Sequence, residues 1–119
     1  MANPSTTGGS GAGTEVLRRT FITGANNTNT NLLTVPADHI YTILNITIVN
    51  NNDAMKACHI FVSPDGSGTH YIIKSEPIPN ETSFIWNDKF VVTAGDIVKI
   101  WCSSTVTDVW CSYIDQQFA

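Results

Sequence analysis

An all-β fold, a jelly-roll-like antiparallel β-sandwich of about eight strands, is what this sequence of 119 residues predicts. Three observations carry that expectation. Short runs of β-branched and apolar residues recur at roughly 8–12-residue spacing. Clusters of Gly, Pro, Asn and Asp separate them, and no stretch has the apolar period of a helix. The length suits a single domain.

The chain is read as a flexible Gly/Ser-rich N-terminal arm, residues 1–14, followed by the sandwich, residues 15–119. Ala2 to Thr14 carries Pro4, Gly8, Gly9, Gly11 and Gly13 among Ser, Thr and Ala. Such a segment buries too little apolar surface to offset its chain entropy. Glu15 to Thr23 fits a first strand, and the Asn-rich stretch from Gly24 to Asn31 fits a loop, because Asn competes with the ladder through local hydrogen bonds. Leu32 to Val35 is a short second strand that Pro36 ends, since proline cannot donate to a ladder.

Ile40 to Val49 shows the clearest alternation. Ile40, Leu44, Ile46 and Ile48 are expected inside; Tyr41, Ile43, Asn45, Thr47 and Val49 are expected on the opposite, partly wet face. Asn50 to Asp53 breaks the strand. Ala57 to Ser63 resumes it with Cys58, Ile60 and Val62 on one side. Pro64 to Gly68 is a turn, His70 to Lys74 a strand, and Pro77 to Glu81 a proline-fixed crossing. Thr82 to Trp86, Lys89 to Val92, Ile97 to Cys102 and Asp108 to Ile114 complete the set.

Composition narrows the function classes. Hydrophobic residues make up 42% and charged residues only 13% of the chain, so apolar surface must be hidden, most naturally in an assembly. The six basic residues are scattered and the net charge is −4, which offers no stripe for phosphates; nucleic acid is not an expected partner. No run approaches the roughly 20 apolar residues that cross a bilayer. The N-terminus has no basic start followed by an apolar stretch, so a cytosol-like place of synthesis is expected.

Three cysteines, Cys58, Cys102 and Cys111, are an odd number and argue against a disulfide framework. Cys102 and Cys111 flank the loop from Ser103 to Thr107, which suits either a cross-hairpin bridge or two buried free thiols. His39, His59 and His70 have no spacing that demands convergence, and His59 and Cys58, adjacent in a strand, point to opposite faces. No metal or cofactor is expected. There is no nucleophile elbow or triad pattern, and Asp65-Gly-Ser-Gly lacks the further ligands of a calcium loop, so no enzyme is expected.

The tryptophans are more telling. Val98, Ile100 and Cys102 oppose Ile97, Lys99 and Trp101, and the lysine marks the second set as the outer one. Val109, Cys111 and Tyr113 oppose Trp110, Ser112 and Ile114, so Trp110 is expected to share that outer face with Trp101. Three readings stand: both indoles fill a thick core, they form an intersubunit patch, or they form a platform for sugars.

Several segments together resemble small virion structural proteins of tailed bacteriophages, particularly those of cyanobacteria and other marine hosts. They are Thr34-Val-Pro-Ala-Asp-His-Ile-Tyr-Thr-Ile-Leu, Tyr71-Ile-Ile-Lys, Phe84-Ile-Trp-Asn-Asp-Lys-Phe-Val-Val, Ala94-Gly-Asp and Val109-Trp-Cys-Ser-Tyr-Ile-Asp-Gln. The resemblance spans roughly Glu15 to Gln117 as an ensemble. It implies a β-sandwich that decorates heads or joins tails.

The expectation is therefore a non-enzymatic capsid decoration or cement protein, a homotrimer made in the host cytoplasm and seated on the outer capsid surface against the major capsid protein. Ile43, Val49, Trp101 and Trp110 are expected at subunit contacts; Glu15, Val16, Leu17, Arg18 and Arg19, with the arm, are expected to attach to the shell. The alternatives are a neck, tail or fibre-base component and, from another class, a carbohydrate-binding module for host attachment.

Overall fold

A computed structural model describes residues 14–23, 28–103 and 107–118. The proposed arm lies outside the described residues, apart from Thr14, which opens the first strand. Nine strands follow in order: β1 (Thr14–Thr23), β2 (Thr30–Thr34), β3 (His39–Asn50), β4 (Lys56–Ser63), β5 (His70–Ile78), β6 (Ser83–Trp86), β7 (Phe90–Thr93), β8 (Ile97–Cys102) and β9 (Thr107–Gln117). There is no α-helix among the described residues.

The first sheet runs β1-β9-β3-β6, with β7 also paired to β3; the second runs β2-β8-β4-β5. Every pairing is antiparallel. Except for β4 to β5 and β6 to β7, each connection carries the chain from one sheet to the other, which is the jelly-roll path. The count is nine because one sheet position is split: β6 pairs with Ile46–Val49 of β3 and β7 with Ile40–Ile43. The interruption falls at Asn87-Asp88-Lys89, three polar residues with weak strand preference.

The core lies between the sheets. Ile46, Ile48, Ile60, Ile100, Val98 and Cys58 are fully enclosed, each large aliphatic contributing about 1.5–3 kcal/mol by leaving water. The alternation expected for β3 holds only in its second half. The pairing of β3 with β9 slips between Ile43 and Asn45, and the extra residue, Leu44, inverts the sides that follow. Tyr41 and Ile43 are therefore inside, at 7% and 0% exposure, whereas Leu44 lines the outer surface. Ile43 was expected at a subunit contact; the bulge places it in the core instead.

Asn50 ends β3 as a buried clamp. Its amide donates to the carbonyls of Ala54, Ile78 and Pro79, and its carbonyl accepts from the Asn52 amide. Pro77 sits inside β5, where it is tolerated because β5 is an edge strand. All three cysteines are free and buried. Cys102 faces Cys58 across β8 and β4 rather than Cys111, which lies on the other sheet. The thiol–thiol hydrogen bond to Cys58, helped by burial, pushes Cys102 well up, and burial pushes Cys111 up to about 12.

Candidate functional site

The outer surface of the first sheet follows from register. Phe21 lies opposite Trp110, Trp110 opposite Thr47, and Thr47 opposite Ile85, giving one row across four strands. Leu17, Ile114, Thr42 and Val91 give a second. Between them lies the row Arg19, Ser112, Asn45. Of the eight large hydrophobic residues exposed among the described residues, five stand here: Leu17 (52%), Phe21 (52%), Ile85 (58%), Val91 (59%) and Trp110 (46%). Singly exposed apolar residues are ordinary, but this many on one sheet face mark a contact surface.

The rings of Phe21 and Trp110 stack at 5.5 Å and 14°, and the Arg19 guanidinium lies 5.5 and 5.3 Å from their centroids. A groove of about 390 Å³ runs beside them, lined by Phe21, Thr47, Val49, Asp108 and Trp110 among others. Val49 is thus half-buried in the groove wall. Asn51 donates to Asp108 at its rim (2.8 Å).

The outer surface of the second sheet is also aromatic but closes on itself. His59 stacks on Trp101 at 4.7 Å and 20°, Tyr71 meets His59 edge-on at 5.4 Å, and Tyr71 covers Phe61 at 5.7 Å. Phe61 points away from the core yet is only 3% exposed. The Lys74 ammonium sits 5.1 Å over the Tyr71 ring. The Ser75 amide donates to His59 Nδ1 at 2.7 Å, which requires an unprotonated nitrogen there. Burial first, and the Lys74 charge second, lower the affinity of His59 for a proton.

A third cluster links three strands of the first sheet at one end. Asp115, 5% exposed, accepts from Arg18 Nε at 2.9 Å and contacts His39 Nδ1 at 2.5 Å. Tyr41 and Tyr113 pack beside it with centroids 4.6 Å apart. Burial, then the Asp115 charge, then Tyr113 push the Tyr41 hydroxyl up to about 12, so it holds its proton. The cluster ties β1 and the start of β3 to the end of β9. Among the described residues no group of three or more His, Cys, Asp or Glu side chains gathers as metal ligands would.

The four expected contact residues therefore separate. Trp110 and Val49 belong to the first sheet's outer face, Ile43 is core, and Trp101 is on the second sheet's outer face, stacked with His59. The two indoles are on opposite sides of the molecule because β8 and β9 belong to different sheets. Of the attachment segment, Leu17 and Arg19 face outward; Val16 and Arg18 lie opposite Asp115 and Tyr113 on the inner side, and Arg18 is engaged by Asp115. Phe21, Ile85 and Val91 were not singled out, since their strands are apolar on both faces and alternation alone does not say which side is wet.

No protein-family model matches the chain, and no curated protein sequence does. Solved structures do. The sandwich is similar to that of Bacillus endospore appendages, which form a novel family of disulfide-linked pili. The likeness has a TM-score of 0.58 at 17% identity and covers 96% of this chain and 97% of the other. At that identity what is shared is the fold. Two pentameric capsid proteins isolated from metagenomic phage sequences align more loosely. Their TM-scores are 0.44 and 0.40 at 16% and 17% identity, over 85% and 87% of this chain and 61% and 68% of theirs.

Proposed function

We propose that this chain is a non-enzymatic structural subunit of a virion, a capsid decoration or cement protein that works by adding contacts to an assembled shell. One observation carries the reading: among the described residues, five of the eight exposed large hydrophobics stand on the outer face of the first sheet. The virion itself is suggested by the sequence resemblance to phage structural proteins. A protein that binds only the assembled lattice stabilises it by mass action, and many modest contacts repeated over a shell add up. A homotrimer, contacting the major capsid protein through the 15–19 segment, remains the expected form.

The test is occupancy on capsids of the virus that encodes it. Phe21→Ser combined with Trp110→Ser is expected to lower bound copies per particle while the melting transition stays cooperative. Undiminished occupancy would overturn the role of this face. A pilus-like fibre subunit is the second reading, suggested by the fold shared with the endospore appendages. A disulfide-linked form of it is disfavoured, because all three cysteines of this chain are buried between the sheets. The sugar-platform reading is weakened too: His59 occupies one face of Trp101, and Phe21 one face of Trp110.

A further inference from the structure

The outer face of the first sheet carries a pattern that matches itself. Both apolar rows read large, large, threonine, large from β1 to the β6/β7 position: Phe21, Trp110, Thr47, Ile85 and, about 13 Å along the strands, Leu17, Ile114, Thr42, Val91. A twofold axis parallel to the strands and passing between β9 and β3 reverses each row onto its own copy. Phe21 then meets the partner copy's Ile85 position and Leu17 its Val91 position. Each inner large residue, Trp110 or Ile114, meets a threonine. The inner pairs thus set a bulky side chain against a small one, which interdigitation needs, while the outer pairs set two exposed large side chains in apolar contact.

Charge decides against the other simple arrangement. An axis running across the strands can bury both apolar rows only by passing along the row between them, and this sets Arg19 against its own symmetry mate. The axis along the strands instead carries Arg19 toward the interruption between β6 and β7, where Asn87, Asp88 and Lys89 lie. Arg19 then faces a segment whose charges sum to zero instead of its own symmetry mate, which removes the like-charge contact. Four strand positions at about 4.8 Å and ten residues at about 3.3 Å give on the order of 600 Å² per copy. The total of about 1,200 Å² is at the lower end of specific interfaces.

From this self-complementarity we infer that the partner on this face is a second copy of the same chain, held face to face about a twofold axis running along the strands between β9 and β3. The inference rests on reading the face as a contact surface and specifies its occupant. On a shell with twofold-related positions, the pair joins subunits of neighbouring oligomers.

Cysteine trapping on the purified full-length protein tests it, since the native thiols are buried and an introduced surface thiol is the accessible one. Phe21→Cys and Ile85→Cys replace side chains that are 52% and 58% exposed, so both variants keep the core. Under oxidised glutathione the mixture of the two variants is expected to form a disulfide-linked pair about tenfold or more faster than either variant alone, because the pair raises the local thiol concentration. Leu17→Cys mixed with Val91→Cys should behave the same way. Efficient linking of Phe21→Cys to itself, no preference for the mixture, or a protein that sediments as a monomer at all concentrations would overturn the inference. Capsid occupancy is read separately: a monomer that still coats particles overturns the pair alone, and a pair that never binds particles overturns the virion role alone.

Discussion

The two outer faces of the sandwich are built from strands of similar composition and end up in opposite conditions. On the second sheet, Trp101, His59, Tyr71 and Phe61 cover one another, and Lys74 closes the end of the ladder. On the first sheet, Phe21 and Trp110 also stack, but Leu17, Ile85 and Val91 remain in water. Aromatic content alone therefore does not make a surface sticky. What matters is whether cross-strand neighbours use up the apolar area before a partner arrives.

Substitution should separate the faces most clearly at their phenylalanines. Phe61→Ala, on the self-covered side, is expected to cost about 3 kcal/mol in urea denaturation, because a nearly buried ring leaves a cavity. Phe21→Ala, on the open side, should cost less than about 1 kcal/mol of monomer stability yet weaken self-association in sedimentation. Equal destabilisation by the two would remove the distinction.

Acid should loosen the covered face. Folding lowers the proton affinity of His59 below its ordinary value of 6.5, so just below that pH the unfolded chain binds more protons than the folded one. The associated stability is present above pH 6.5 and is lost as pH falls through the lowered value. Thermal melts of wild type and His59→Gln across pH 7 to 5 should diverge, with the variant losing this part of the slope; parallel curves would contradict the assignment. Lys74→Ala should have the smallest effect, about 0.5 kcal/mol for an exposed cation–π contact, measurable as a small shift in the urea midpoint.

Much of the fold was legible in the sequence. The approximate strand number, about eight expected against nine found, the jelly-roll-like sandwich, and the inward sets Val98, Ile100, Cys102 and Val109, Cys111, Tyr113 follow from period-two patterning and turn residues. What patterning misses is any event that breaks the period or depends on distant pairing. Leu44 forms a bulge because of how β3 pairs with β9, and nothing in Ile43-Leu44-Asn45 signals it. That single residue moved Ile43 from an expected contact into the core. Trp101 and Trp110 have the same local alternation, but sheet membership is decided by crossovers, and the two indoles face opposite ways. The greasy face is expected from composition as a property, but its residues are expected in separate roles, Trp110 and Val49 at subunit contacts and Leu17 and Arg19 in the attachment segment, and Phe21, Ile85 and Val91 need the register.

Hydroxyl-radical footprinting, read residue by residue on the protein when dilute, concentrated and bound to particles, addresses the contrast between the faces most directly. Protection should develop at Phe21, Trp110, Leu17 and Ile85 on concentration or binding, while Tyr71 and Met55, exposed at 46% and 64%, stay reactive throughout. Undiminished labelling of Phe21 and Trp110 in every state, or protection centred on Tyr71 and Trp101, would contradict a contact surface on the first sheet.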